Sequence, residues 1–193
     1  MDDVLVSLRE LNLRFLGLWP RCAGDTPLVR LAGLEAGQRA AAADCPYALF
    51  DVRFADAAHW SARLGAPLAW EVAEPSAADP EALAFVRLAL FYVWHVTTTA
   101  PLRAQLLLGM PGELVAQFAR QTVDRLPSLA AHEVAELRPR WHGCDAYWSA
   151  LLAGAQRPGS AALRRAQLRG IQYTAAQRLA PAAGPLRQPP SGV

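Results

Sequence analysis

A pattern occurs twice in this chain. Arg53-Phe54 leads to Trp60-Ser61-Ala62, and Arg140-Trp141 leads to Trp148-Ser149-Ala150, with one extra residue in the second gap. Tryptophan is scarce, and both copies close a similar run of apolar and helix-forming residues, so chance is a poor explanation. A period of roughly 87 residues is far longer than the 20 to 50 residues of a solenoid unit. It predicts two related halves packed about an approximate two-fold axis, as in a homodimer joined end to end.

The chain can bury such a core. At 193 residues and 53% hydrophobic content, it has enough apolar surface for one compact domain or two small halves. Disorder of the whole chain is excluded. Lysine is missing, and Ile171 and Asn12 are the single isoleucine and asparagine, while Ala, Leu and Arg abound; the bias fits a GC-rich bacterial genome. The start, Met1-Asp2-Asp3, lacks the basic residues and apolar run of a secretory signal, so a cytoplasmic location is expected. Leu83 to Val96 is the most apolar stretch, yet it contains Arg87 and His95 and falls short of the roughly 20 residues that span a bilayer. It reads as a buried helix, with no membrane contact. Cys22, Cys45 and Cys144 form no Cys-x-x-Cys pair and read as free thiols.

Periodicity predicts a mainly α fold. Val4 to Trp19 carries a broad apolar face and should end before Pro20; Leu28 to Ala43 is a second helical stretch. Tyr47 to Phe54 alternates in the period-two manner of a short strand. Asp56 should cap a helix over 57–64. The segment 67–79 reads as a linker with a short strand around Trp70 to Val72. Asp79-Pro80-Glu81 combines a cap, a proline at the first helical position and an acid near the positive helix end. Helices follow at 101–109, 112–122, 125–137 and 145–155. A last one, 160–179, carries Leu168, Ile171, Ala175 and Leu179 on one stripe. Beyond Pro181 there is little to bury, and a disordered tail is expected.

Catalytic and metal motifs are weak. His132-Glu133-Val134-Ala135-Glu136 has the start of a zinc-protease helix, with glutamate where the second ligand histidine should stand. His142 and Cys144 would need two further ligands from isolated residues such as His59 or Cys45. No Gly-x-Ser-x-Gly elbow, phosphate-cradling loop or dinucleotide fingerprint occurs. No metal or cofactor is expected, and an enzyme would require a pocket gathering His132, Glu133 and Glu136.

The net charge of +2 conceals an asymmetry. After Asp145 no acidic residue occurs, while Arg157, Arg164, Arg165, Arg169, Arg178 and Arg187 contribute +6. Either these arginines meet an acidic partner, or they cap helices and pair with acids of the N-terminal part.

Three stretches resemble the FlhD family, the helical subunit of the bacterial flagellar transcription activator. Leu11-Asn12-Leu13-Arg14-Phe15-Leu16 is similar to its opening helix. Leu31 to Leu34, Gln38 and Leu49 to Asp56 are similar to a later segment that ends in an Arg-Phe pair. Leu108-Gly109-Met110, with Glu113, Leu114, Ala119, Thr122, Leu129-Ala130 and Arg140-Trp141, matches the Leu-Gly-Ile helix-turn-helix region without a gap. The resemblance implies two FlhD-like halves, 1–66 without the Leu-Gly-Ile helix and 80–155 with it, then a basic helix over 156–180 and the tail 181–193. It implies a non-enzymatic regulator acting in transcription through DNA or a protein partner, FlhC-like or another regulator. Arg138, Arg140, Arg164, Arg165 and Arg169 are the candidate contacts, since arginine bridges phosphates bidentately. Against that stands burial of Arg53 and Arg140 as partners of carboxylates such as Asp56 and Asp145. The alternative function is a helical adaptor or chaperone-like protein that binds another protein through an apolar groove.

Overall fold

The computed structural model describes residues 3–22, 33–66 and 79–179. The fold is mainly α. Its helices are α1 (Asp3–Cys22), α2 (Ala36–Ala43), α3 (Ala57–Gly65), α4 (Pro80–Thr99), α5 (Pro101–Leu108), α6 (Gly112–Ala119), α7 (Leu126–Glu133), α8 (Asp145–Ala155) and α9 (Ala161–Leu179). Two short strands, β1 (Phe50–Asp51) and β2 (Arg138–Pro139), pair antiparallel. Of the linker expected at 67–79, residues 67–78, with the short strand expected around Trp70 to Val72, lie outside the described residues, as does the tail expected at 181–193.

The caps read from the sequence act as such. Asp56 Oδ1 accepts the His59 amide at 2.9 Å and starts α3; Asp79 Oδ1 accepts the Glu81 amide at 2.9 Å and starts α4 with Pro80 in its first turn. Each satisfies an amide that a first turn leaves without a partner. α1 runs past Pro20 to Cys22, because a proline in the last turn costs one ladder bond rather than a whole helix. The helix expected over 125–137 is confined to Leu126–Glu133, with single 3-10 turns at Val123–Arg125 and Val134–Glu136.

α4 is the centre of the fold. By length and composition it could cross a membrane, but 56% of its most apolar window is buried inside the protein. α1, α5, α6 and α7 all pack on it. Asn12 ties α1 to the chain after α2: its amide donates to the carbonyls of Ala43 (3.2 Å) and Tyr47 (2.9 Å), and its oxygen accepts the Leu49 amide at 2.8 Å. The single asparagine is thus fully buried and fully bonded, as a buried amide must be.

The two tryptophan patterns form matching corners around the strand ribbon. Trp60 and Trp148 are buried on α3 and α8. Trp60 Nε1 donates to the Val52 carbonyl at 3.1 Å and Trp148 Nε1 to the Arg140 carbonyl at 2.9 Å. The Asp56 amide donates to the Arg53 carbonyl, and the Cys144 amide to that of Trp141. Arg53 and Trp141 both take left-handed φ values, 58° and 54°. One shift of 88 positions relates every pair, with no extra residue in either gap. The geometric mate of Arg53 is therefore Trp141, and that of Arg140 is Val52. Aligning the two Arg-aromatic pairs puts the register one residue off, since the backbone turn and not the arginine is what repeats. Under the same shift the pairing Phe50↔Pro139 becomes Asp51↔Arg138, so a local two-fold axis passes through the ribbon.

α9 packs through a face other than its Leu168-Ile171-Ala175 stripe. Leu163, Ala166, Gly170 and Thr174 are buried, whereas Leu168 is 58% and Ile171 44% exposed. Small residues face inward because the neighbours come close: a Cβ on Gly154 of α8 would lie 2.7 Å from the Leu163 Cα, and one on Gly170 would enter the Tyr47 ring. Close approach outweighs side-chain size here.

Candidate functional site

Arg140 is a structural residue. It is 3% exposed, and its guanidinium donates to the Leu107 carbonyl at 2.9 Å and to Gln177 Oε1 at 3.1 Å. It lies against Gly109, whose φ of 72° ends α5 and whose missing side chain leaves the space it fills. A cation at the carbonyl end of a helix is favourable. Burial pulls its pKa down to about 10, opposed by the charge of Asp51, so it stays cationic at neutral pH. It presents no surface to a phosphate, and Asp145 is not among its partners. The expectation that Arg140 contacts DNA is thereby corrected. Its bond to Leu107 does bring the Leu108-Gly109-Met110 turn and the Arg140-Trp141 corner together.

Arg138 is engaged as well. Its Nε and Nη2 each lie 3.3 Å from Asp51 Oδ2, the residue opposite it on the ribbon. Opposite charges across a strand pair support the register. Arg53 is held by Asp56 at 2.6 Å and by Glu136 at 3.9 Å. The Asp56 carboxyl is lowered, first by the His59 amide and then by Arg53.

α6, in the stretch where a helix-turn-helix was expected, buries Leu114, Val115 and Phe118 against α3, α4 and α5. Glu113 and Ala116 on this helix, and Arg120 just after it, are exposed. One acid against one cation is a poor match for a phosphate backbone.

Arg164, Arg165 and Arg169 are exposed on α9. Arg164 Nη1 donates to the Gly159 carbonyl just before its own helix, at 2.8 Å. Arg165 and Arg169, one turn apart, make no hydrogen bond or ion pair among the described residues. Leu168, Ile171 and Ala175 run beside them at helical spacing on the same solvent face. The outer surface of α9 is thus a line of apolar side chains edged by cations, with no acid on the helix. The signal for it was in the sequence: α9 carries two stripes at helical spacing, Leu163-Ala166-Gly170 and Leu168-Ile171-Ala175, on different faces, and only one can be inside.

A second polar cluster went unread in the sequence. Glu133, fully buried, lies 2.7 Å from His59 Nε2 and 3.0 Å from Arg63 Nε. His132 is exposed, Glu133 is buried, and Glu136 pairs with Arg53, so His132, Glu133 and Glu136 are not gathered into one pocket. Among the described residues no three His, Cys, Asp or Glu side chains converge as metal ligands; Cys144 Sγ instead contacts the Tyr173 hydroxyl at 3.5 Å. A groove of about 750 Å³ lies between α1 and α4, with Val6, Leu13, Leu88 and Phe91 among its lining residues together with Glu10, Arg14 and His95. No family model, curated protein or solved structure matches this chain.

Proposed function

We propose that this is a non-enzymatic regulatory protein, FlhD-like in kind, which acts in transcription by engaging DNA or a DNA-binding partner through the outer face of α9. The observation that carries the reading is the exposure of Arg164, Arg165 and Arg169 on a helix without a single acid. Such a surface has a uniformly positive field and attracts polyanions and acidic proteins. Arg138 and Arg140 take no part, because one is paired with Asp51 and the other is buried.

The test is binding of the full chain, alone and with partners recovered from native extract with and without nuclease, to duplex DNA across a salt series. Each arginine that neutralises a phosphate contributes about 0.9 to the slope of log affinity against log salt. Replacing Arg164, Arg165 and Arg169 by alanine should weaken binding and flatten that slope while helical content is kept. No DNA affinity in low salt, either alone or with the recovered partner, would remove the transcriptional reading.

One observation favours the adaptor reading: the groove between α1 and α4, with Val6, Leu88 and Phe91 in its wall. Binding there would be driven by apolar burial and would be nearly insensitive to salt.

A further inference from the structure

The outer face of α9 has two components, and a phosphate backbone satisfies only one of them. Leu168 and Ile171 are 58% and 44% exposed, and Ala175 continues their line one turn further. Spacings of three and four residues place all three on one stripe of the helix. Arg164 heads that stripe, and Arg165 and Arg169 flank it. Duplex DNA would pair with the cations but would leave the apolar stripe without a partner. A second helix laid along α9 would bury the stripe and bring its own charges against the arginines, which is the helix-recognition mode read by anchors at i, i+3 and i+7.

We infer that α9 docks an acidic amphipathic helix of a protein partner, with Leu168 and Ile171 as the apolar anchors and Arg164, Arg165 and Arg169 as the charge-selecting rim. This rests on the reading of α9 as the contact face and names the chemistry that face selects. The occupant is acidic because the rim is wholly cationic and the helix carries no acid that would attract a basic partner. Interface cores of this kind are apolar, and their charged rims set specificity and approach rate. α9 can offer both without rearranging, since its inner face is fixed by the close contacts of Gly170 with Tyr47 and of Gly154 with Leu163.

The probe is a synthetic helical peptide with leucines at i, i+3 and i+7 and glutamates at the flanking positions, compared with a scrambled peptide of equal composition. It is tested on the full chain beside a duplex DNA and vesicles of anionic lipid. The ordered peptide should bind, and the scrambled one should bind far more weakly. Leu168→Ser with Ile171→Ser should weaken the peptide by about tenfold or more with unchanged helical content, and both residues are exposed enough for folding to tolerate the change. Arg164→Ala with Arg165→Ala and Arg169→Ala should weaken it too and make it less sensitive to salt. The inference is overturned if DNA or vesicles bind, the peptide does not, and the Leu168 and Ile171 changes are without effect; α9 then remains the contact face with a polyanion on it. If neither the arginine changes nor those at Leu168 and Ile171 alter binding of any probe, both the inference and the reading of α9 fail together.

Discussion

His59 Nε2 lies 2.7 Å from Oε2 of Glu133, a carboxylate with no exposure to solvent, and so joins α3 to the end of α7 across 74 positions of sequence. Arg63 Nε approaches Oε1 of the same carboxylate at 3.0 Å, off the line of a hydrogen bond. A buried carboxylate is tolerated only with such partners. His59→Ala leaves Glu133 with a half-exposed arginine alone and should cost about 3 kcal/mol in denaturant unfolding. His59→Leu combined with Glu133→Met should cost much less, because an apolar pair of similar volume removes the stranded charge. Equal losses in the two variants would show that packing, not charge burial, dominates at this contact.

Trp60 and Trp148 should be equivalent in energy as they are in geometry. Each is buried and each donates its indole N–H to the carbonyl eight residues before it. Either Trp→Ala change should destabilise by about 3 to 5 kcal/mol, read as a lower unfolding midpoint at unchanged slope. A loss below about 1 kcal/mol at one site alone would separate the two corners.

Gly109 and Arg140 act as a unit. Gly109→Ala meets both a left-handed backbone and the space taken by the guanidinium, so a loss of about 2 kcal/mol or more is expected. Arg140→Lys cannot fork between Leu107 and Gln177 and should also destabilise by about 2 kcal/mol. Neither change should alter binding at the outer face of α9. Loss of binding by folded Arg140→Lys protein would return Arg140 to the contact set.

Alkaline pH should unfold the protein progressively. Tyr47 and Tyr147 lie with their hydroxyls 3.0 Å apart, and Tyr47 donates to the Gln167 carbonyl at 3.1 Å. Burial raises both phenols well above 10, and pushes the Cys45 thiol up from 9.0 to about 12. The unfolded chain therefore ionises first. Stability is complete below about pH 9 and is lost as the pH rises above the ordinary values of these groups. Melting temperature measured from pH 8 to 11 should fall, and Tyr47→Phe with Tyr147→Phe should flatten the fall. An unchanged slope in that double variant would assign the alkaline loss elsewhere.

Much of this architecture was legible, and the failures have physical causes. Asp56, Asp79 and Pro80 announce helix starts because capping is local chemistry. The repeated tryptophans announce two matching corners because a buried indole needs a fixed carbonyl. Which face of α9 is buried was not legible, because it is decided by close contacts such as that of Gly170 with Tyr47, a partner far away in sequence. Likewise, Arg140 looked like a surface cation until Gly109, 31 positions earlier, proved to leave a space for it. Of the five candidate contact arginines, Arg164, Arg165 and Arg169 stay on an open surface, because only they lie on a helix face that meets nothing else among the described residues.

The strand ribbon has a consequence for any shortened form of the chain. β1 and β2 are two residues each, and each takes its hydrogen bonds from the other across a local axis that exchanges them. A fragment carrying β1 alone would hold an unmatched edge, and the nearest substitute for β2 is β1 of another fragment, turned about the same axis. Such fragments would be expected to close into pairs by exchanging like for like, with the covalent link of the full chain replaced by concentration.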